Sequence, residues 1–335
     1  MAGRVTMADV AAAAGVSAKT VSNVLGDRGG YSPETGARVL AAVAGLGYRL
    51  NADARALRSR RSGVIALALP TLRQPMYAAL AQAVLTEAGQ VPVVLELTRG
   101  EARLEEDVLR GRLAQEADGV LYVPRALTPE ALGADSRRTR PVVLVGGRPS
   151  DLTDQVVVPV EEQVALVAAH LGATGRRRPA VIGAARDPVD WTARCVARLR
   201  EQGWYLPEEL VATPVTGADS LRAGVEATLR LLRSSLPFDA LVCHNDAQAA
   251  GALGVLRRHG ARVPEDVAVV GRGDTELAAF ASPALTSVAP GFAAVAREAV
   301  ALLLSRVERP GAPMRQAVVS PTLAVRASSA KSGTS

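Results

Sequence analysis

The sequence predicts an all-α headpiece joined to an α/β core of two doubly wound parallel-sheet subdomains. Three observations carry that expectation. The 335 residues exceed one ordinary domain, and a 48% hydrophobic, 21% charged composition allows a large buried core. The charge is uneven: residues 1–62 hold nine basic and four acidic residues, so most of the net +6 sits there. A basic head on a near-neutral body fits a polyanion-binding module. From Gly63 onward, short apolar runs alternate with helical stretches, which is the rhythm of parallel sheets covered by helices.

The headpiece elements follow from local rules. Thr6 and Asp9 form a capping box that opens a helix running to Ala14, and Gly15 supplies the left-handed stop. Ser17 caps a second helix over residues 18–25. Val10, Val16, Val21 and Leu25 are the expected apolar seam. Two short helices joined by a Gly-containing turn describe a helix-turn-helix. Ser32, Pro33 and Glu34 open a third helix, Val39, Leu40, Val43 and Leu46 give it an apolar stripe, and Gly47 ends it. In such a motif the start of the second helix reaches base edges. Lys19 can donate to guanine, Asn23 can pair with adenine, and Ala18 can meet a thymine methyl. Asn51 caps a two-turn segment to Leu57 that is too short to be stable alone. The domain boundaries expected are 1–48 for the headpiece, 49–62 for a hinge helix and linker, 63–326 for the core, and 327–335 for a disordered tail.

Strands are expected at 64–69, 91–97, 119–123, 142–145, 180–183, 240–243 and 267–270. Helices are expected at 76–88, 104–113, 161–171, 192–201, 221–232 and 247–259. Ligands in such sheets sit beyond the carboxyl ends of the strands. No apolar run approaches the roughly 18 residues of a membrane span, and Asp9 interrupts the Ala-rich start, so no signal peptide is read. The expectation is a cytoplasmic, nucleoid-associated protein. Cys195 and Cys243 support neither a disulfide framework nor a metal knuckle. No phosphate loop, dinucleotide fingerprint or nucleophile elbow occurs, and Cys243 and His244 alternate on a strand, so no enzyme, metal or cofactor is expected.

The order of motifs resembles the LacI/GalR family of transcriptional regulators. The residues that carry it are Val5-Thr-Met-Ala-Asp-Val-Ala, Ala-Gly-Val-Ser17, Thr-Val-Ser22, Ser32-Pro-Glu-Thr35, Gly47-Tyr48 and Asn51 to Leu57. In the core they are His170-Leu171, Asn245-Asp246-Ala-Gln-Ala-Ala-Gly251, Val269-Val-Gly271 and Leu285-Thr-Ser-Val. The resemblance spans roughly residues 4–326. It implies a dimeric repressor on pseudo-palindromic double-stranded operator DNA, switched by a small ligand, a sugar or another compound. The core it implies is periplasmic-binding-protein-like, with subdomains of about 63–158 plus 290–318 and 159–289 plus 319–326. The implied DNA contacts are Thr6, Ser17, Ala18, Lys19, Ser22, Asn23, Tyr31, Ser32, Thr35, Tyr48, Asn51, Ala54 and Leu57. Leu57 matches a leucine that wedges the minor groove. Leu50 stands where a proline is usual. The tail lacks the leucine heptads of tetrameric members, which favours a dimer.

The pattern breaks in the cleft. Trp191 stands where the family has an effector-binding Arg, and Gly273 where it has an Asp. Three readings stand at this point. Arg194 and Asp274 serve a different ligand, Trp191 stacks on a ring, or the pocket is degenerate and the regulator has no effector. The implied cleft residues are Tyr77, Arg125, Trp191, Arg194, Asn245, Asp274 and Phe292, with Arg73 nearby.

Overall fold

The computed structural model describes residues 5–25, 29–48, 61–112, 115–127, 140–184, 191–214 and 220–330. The chain divides into two compact units, Met1–Ser62 and Gly63–Ser335. The expected hinge residues Asn51, Ala54 and Leu57 lie outside the described residues, as does Leu50.

The first unit holds helices α1 (Met7–Ala14), α2 (Ala18–Leu25) and α3 (Pro33–Gly45). Thr6 accepts the Asp9 amide and Asp9 returns the bond to the Thr6 amide, closing the capping box. These bonds hold the exposed Asp9 carboxyl below its usual range. Gly15 ends α1 at φ 67°. The small core is Val10, Ala11, Ala14, Val21, Val24 and Val39. Val24 takes the seam position expected of Leu25, which is only partly buried. Leu40 and Leu46 depart from the expected stripe, at 56% and 38% exposed. Gly36, Val39 and Val43 occupy the inward face at spacings of three and four, which turns Leu40 outward.

The second unit contains two six-stranded sheets. The first uses β1 (Ile65–Leu69), β2 (Val93–Leu97), β3 (Gly119–Tyr122), β4 (Val142–Val145), β5 (Asp154–Val157) and β11 (Gln316–Val318), in the order β11-β5-β4-β3-β1-β2. The second uses β6 (Pro179–Ile182), β7 (Val211–Ala212), β8 (Ala240–Cys243), β9 (Ala268–Arg272), β10 (Thr286–Ala289) and β12 (Thr322–Ala324), in the order β12-β10-β9-β8-β6-β7. Every pairing is parallel except β10 with β12. The chain passes between the lobes after β5, after β10 and between β11 and β12.

Helices α4 (Pro75–Ala88) and α5 (Ala102–Leu109) flank the first sheet. Helices α6 (Val160–Ala173), α7 (Trp191–Glu201), α8 (Leu221–Arg233), α9 (Asp246–Arg258) and the short α10 (Glu276–Phe280) belong to the second lobe. Helix α11 (Phe292–Glu308) returns to the first lobe and packs on α4. Leu67, Leu69, Leu121, Val143, Leu80, Val84, Ala299 and Leu303 fill one face of the first sheet, and Ala66, Tyr122, Leu144, Val108 and Leu109 the other. Covered faces on both sides explain why these strands read as continuous apolar runs. Strand β2 is an edge, and Val94, Leu95 and Leu97 on it remain exposed.

Two buried glycines set the crossing of α8 and α9. A Cβ on Gly224 lies 2.1 Å from the Gln248 carbonyl oxygen, and one on Gly251 lies 2.2 Å from that of Leu221. The expected disorder from residue 327 does not hold for Ser328 and Ser329. Ser328 donates to the Val269 carbonyl at 2.6 Å and accepts the Thr286 amide at 2.8 Å, and Ser329 hydrogen-bonds His170. Both are buried: Ser328 satisfies backbone groups of the inner strands β9 and β10, and Ser329 Oγ donates to the Thr286 hydroxyl at 2.6 Å. Residues 331–335 lie outside the described residues.

Candidate functional site

The headpiece presents the start of α2 to solvent. Ser17 accepts the Thr20 amide at 3.1 Å and so caps the helix, while Ala18 and Lys19 are exposed. Val21 and Val24 anchor the opposite side. Ser22 and Asn23 are half-buried on the same helix. Thr6 and Ser32 cap α1 and α3, so their hydroxyls already have structural work. Thr35 is half-buried at the start of α3, its hydroxyl 3.0 Å from that of Ser32. Tyr31 packs its ring against Gly36, where a Cβ comes within 3.2 Å, and Tyr48 packs on the core edge.

The second unit holds a cavity of about 120 Å³ at the carboxyl ends of both sheets. Gln74, Met76 and Tyr77 follow β1, Pro124 and Arg125 follow β3, and Gly146 and Gly147 follow β4. From the second lobe come Gln163 of α6, His244 after β8 and Arg272 at the end of β9. Phe292 and Val295 of α11 close one side. This is the place where doubly wound sheets take ligands.

The two arginines are held by different devices. Glu105 of α5 is fully buried and accepts the amides of Arg125 at 3.0 Å, Ala126 at 3.0 Å and Leu127 at 2.9 Å. It also accepts the Tyr122 hydroxyl, whose pKa burial pushes up. Gly100 lies against the Arg125 stem, a Cβ there coming within 3.0 Å. The Arg272 guanidinium sits 5.5 Å over the Trp191 ring. Trp191 also meets the His244 ring edge-on at 5.5 Å, and an Arg272 amino group approaches the His244 carbonyl at 3.4 Å. Gln155 accepts the Ser150 amide and donates to the Gly146 and Arg148 carbonyls, which fixes the Gly146-Gly147 wall. Gln163 donates to the Val158 carbonyl at 3.1 Å, while its buried Oε1 meets no donor among the described residues.

Three expected cleft residues, Tyr77, Arg125 and Phe292, line this cavity. Four do not. Trp191 is fully buried in the core of the second lobe, because its size fills the space between α7 and the sheet. Arg194, one helical turn on, faces outward at 48% side-chain exposure and pairs with Glu161. The partners expected for it, Asp187 and Asp190, lie outside the described residues. Asn245 is spent as the cap of α9, accepting the Gln248 amide at 2.9 Å. Asp274 pairs with Arg326 at 2.7 Å, its amide bonded to Ser287 Oγ. Arg73 is exposed and outside the lining. Sequence reasoning missed Gln74, Gln163, His244 and Arg272. The signal that could have found the last two is position, since each falls at or just past the carboxyl end of a core strand. Cys243 faces the core of the second lobe, where burial pushes its thiol up, while His244 faces the cavity.

Among the described residues no helix is long and apolar enough to cross a membrane. The profile described as bacterial regulatory proteins, lacI family, matches residues 6–51, and that of a periplasmic binding protein-like domain matches residues 168–329. The HTH-type transcriptional regulator MalR of Streptomyces coelicolor is 32% identical over 97% of this chain and 96% of its own length. A solved complex of the transcriptional regulator CelR with cellobiose shares 31% identity, covering 97% of this chain and all of that one, at a TM-score of 0.69. The lac repressor dimer bound to operator and an anti-inducer shares 26% identity over 98% of this chain and 99% of that one, at a TM-score of 0.79. With a helix-turn-helix first, two α/β lobes behind it, and relatives of this identity along the whole length, the chain belongs to the LacI family of DNA-binding transcriptional regulators.

Proposed function

We propose that the protein acts as a dimeric repressor whose grip on a pseudo-palindromic operator is set by a small ligand in the cavity between its two sheets. The observation that carries the reading is the cavity itself: a lined space at the strand ends, fed by both lobes and by the returning helix α11. A ligand there changes operator affinity only through its different affinity for the two states of the core. The exposed apolar edge of β2, with Val94, Leu95 and Leu97, supports a second copy as the covering surface.

The start of α2 enters the major groove in this reading, with Lys19 and Asn23 on base edges, while Leu57 wedges the minor groove at the operator centre. Thr6, Ser32 and Thr35 serve phosphates from capped helix starts. The regulator works on DNA in the cytoplasm and needs no catalytic step. The test selects bound sequences from a random DNA pool with the full-length protein. A two-fold symmetric site is expected. Lys19→Ala should relax one base position per half-site by about 1–3 kcal/mol. Leu57→Ala should weaken specific binding more than non-specific binding. A uniform loss for Lys19→Ala, with a shallower salt slope, makes it a phosphate contact. An asymmetric site overturns the dimer reading.

A further inference from the structure

Resting on the reading of the cavity as an effector site, we infer that its ligand is a compact, largely apolar ring bearing one hydroxyl or N–H donor, which Gln163 receives. Gln163 lies on α6 of the second lobe and is 4% exposed. The protein itself orients its side-chain amide: Nε2 donates to the Val158 carbonyl at 3.1 Å, a group that can only accept. The other end of the amide is then Oε1, an acceptor. It is buried with no donor among the described residues, and the side chain lines the cavity. Buried acceptors are almost always satisfied, and leaving one unmade is costly, so a molecule entering this space gains by bringing a donor to it. The other polar residues of the lining are already engaged. Arg272 lies over Trp191 and approaches the His244 carbonyl, His244 meets Trp191 edge-on, and Gln74, Tyr77 and Arg125 also hold interactions.

The walls decide what carries the donor. Leu80 of α4, Val145 at the end of β4, Val158, Val160, and Phe292 and Val295 of α11 line the same space. Sites of this kind bury an apolar body and fix it by a few placed polar groups. The volume of about 120 Å³ is near the ~150 Å³ that holds a single benzene ring, so one ring fills it. A hexose carries hydroxyl groups on all sides, and those turned to the apolar wall lose water without gaining a partner. A phenol or an aromatic amine turns carbon to that wall and its single donor to Gln163. The contacts also come from different lobes, the walls on β4 and α11 belonging to the first and Gln163 on α6 to the second. Such a ring binds best when both lobes are in reach, which is the differential affinity that an effector needs.

The test titrates phenol, aniline, toluene and glucose into the full-length protein and reads binding by ligand-observed NMR. Phenol and aniline separate an O–H from an N–H donor on one ring, and toluene keeps the shape without a donor. Phenol or aniline is expected to bind, and glucose to bind more weakly than the responding ring. Gln163→Met keeps the length of the side chain and removes the acceptor. It should lower the affinity of the responding ring relative to toluene by at least about tenfold. Should that variant melt early, Gln163→Ala reads the same ratio. Val295→Trp fills the cavity and should abolish binding. An unchanged ratio overturns the role of Gln163, and binding retained in Val295→Trp puts the ring elsewhere and overturns the site. Glucose binding more tightly than both aromatic donors overturns the apolar class and leaves the effector site standing. Silence from phenol and aniline overturns the class outright. Adding the responding ring to the protein on its selected operator tests the underlying reading by itself: an unchanged operator affinity overturns the effector role and leaves the ligand class intact.

Discussion

Removing the Asp154 carboxylate should strongly destabilise the first lobe. Asp154 is fully buried on β5 and receives Arg306 of α11 in a two-point bond, Nε at 2.6 Å and Nη2 at 3.0 Å. It also accepts the Arg315 amide at 2.8 Å. The remaining Arg306 donors go to the carbonyls of Pro310, Ala312 and Pro313, so one guanidinium ties β5, the end of α11 and the turn leading into β11. The bonds to Asp154 push the Arg306 pKa up. Asp154→Ala strands a buried cation and the Arg315 amide together. Breaking a buried pair from one side costs about 3–5 kcal/mol. For a unit of this size that is a fall of roughly 6–20 °C in Tm. Arg306→Met should cost as much, since it leaves a buried carboxylate and three carbonyls without their donor. The double variant Asp154→Leu/Arg306→Met removes both charges but not the carbonyls, so it should cost clearly less than the two single losses added together. Urea unfolding followed by far-UV circular dichroism reads all three, because Trp191 and Trp204 both report on the other lobe. Additive losses, or single losses below about 1 kcal/mol, would show that water or a rearranged turn satisfies the guanidinium and refute the clamp.

Gly251→Ala should destabilise the second lobe by about 1–3 kcal/mol, because a Cβ 2.2 Å from the Leu221 carbonyl oxygen forces α8 and α9 apart; unchanged denaturant midpoints would sink that account. Burial holds the Asp246 carboxyl above its usual range, although Ser287 and Thr275 hydrogen-bond to it. The folded state then binds that proton more tightly than the unfolded chain, so wild-type stability falls as pH rises through the raised value. Asp246→Asn lacks this loss, and its stability relative to wild type should climb with pH from near 3.8 and level off above the folded pKa; denaturant melts across the range would refute the raised pKa by showing a constant difference. Glu105→Gln puts an amide donor among three backbone donors and should cost about 1–3 kcal/mol, read as a lower Tm; an unchanged Tm would refute the role of the carboxylate.

The elements legible in the sequence are those fixed by short-range rules. Thr6 with Asp9, Gly15, Ser17, and Ser32 with Pro33 each specify a helix end within four residues, and the structure uses each in that way. Strands buried on both faces were legible because nothing polar interrupts them. Strand β5 was not, since it opens on Asp154 and Gln155, whose partners Arg306 and the 146–150 turn lie far along the chain or in a loop. Helix α11 was missed although Val295, Ala296, Ala299, Val300 and Leu303 keep helical spacing. Its N-cap is Gly291 at φ 74° with no side-chain cap, so the start signal that marks α1 and α3 is absent. Ser328 and Ser329 read as tail because small polar residues carry no periodicity, yet the Ser328 hydroxyl bonds the backbone of β9 and β10 and that of Ser329 bonds His170 and Thr286.

The cleft shows why matching positions along a family pattern is weaker than placing side chains. Reading Trp191 as a lost arginine leaves the pocket without a cation on that side. In the fold the ring goes into the core of the second lobe, and Arg272, from the end of β9 in the same lobe, lies over it and faces the cavity. The two residues are 81 positions apart, and neither explains the other in one dimension. Without the Trp191 ring, Arg272 would lack the surface it lies over. Strand alternation makes the exchange possible: Cys243 turns into the core, and His244, next in the chain, turns out to meet both partners. A cation therefore enters the cavity from a strand end instead of a helix start. Its neighbours in the lining are Arg125 and Gln163, so the position that reads in one dimension as a lost arginine is matched in three dimensions by a cation from another element.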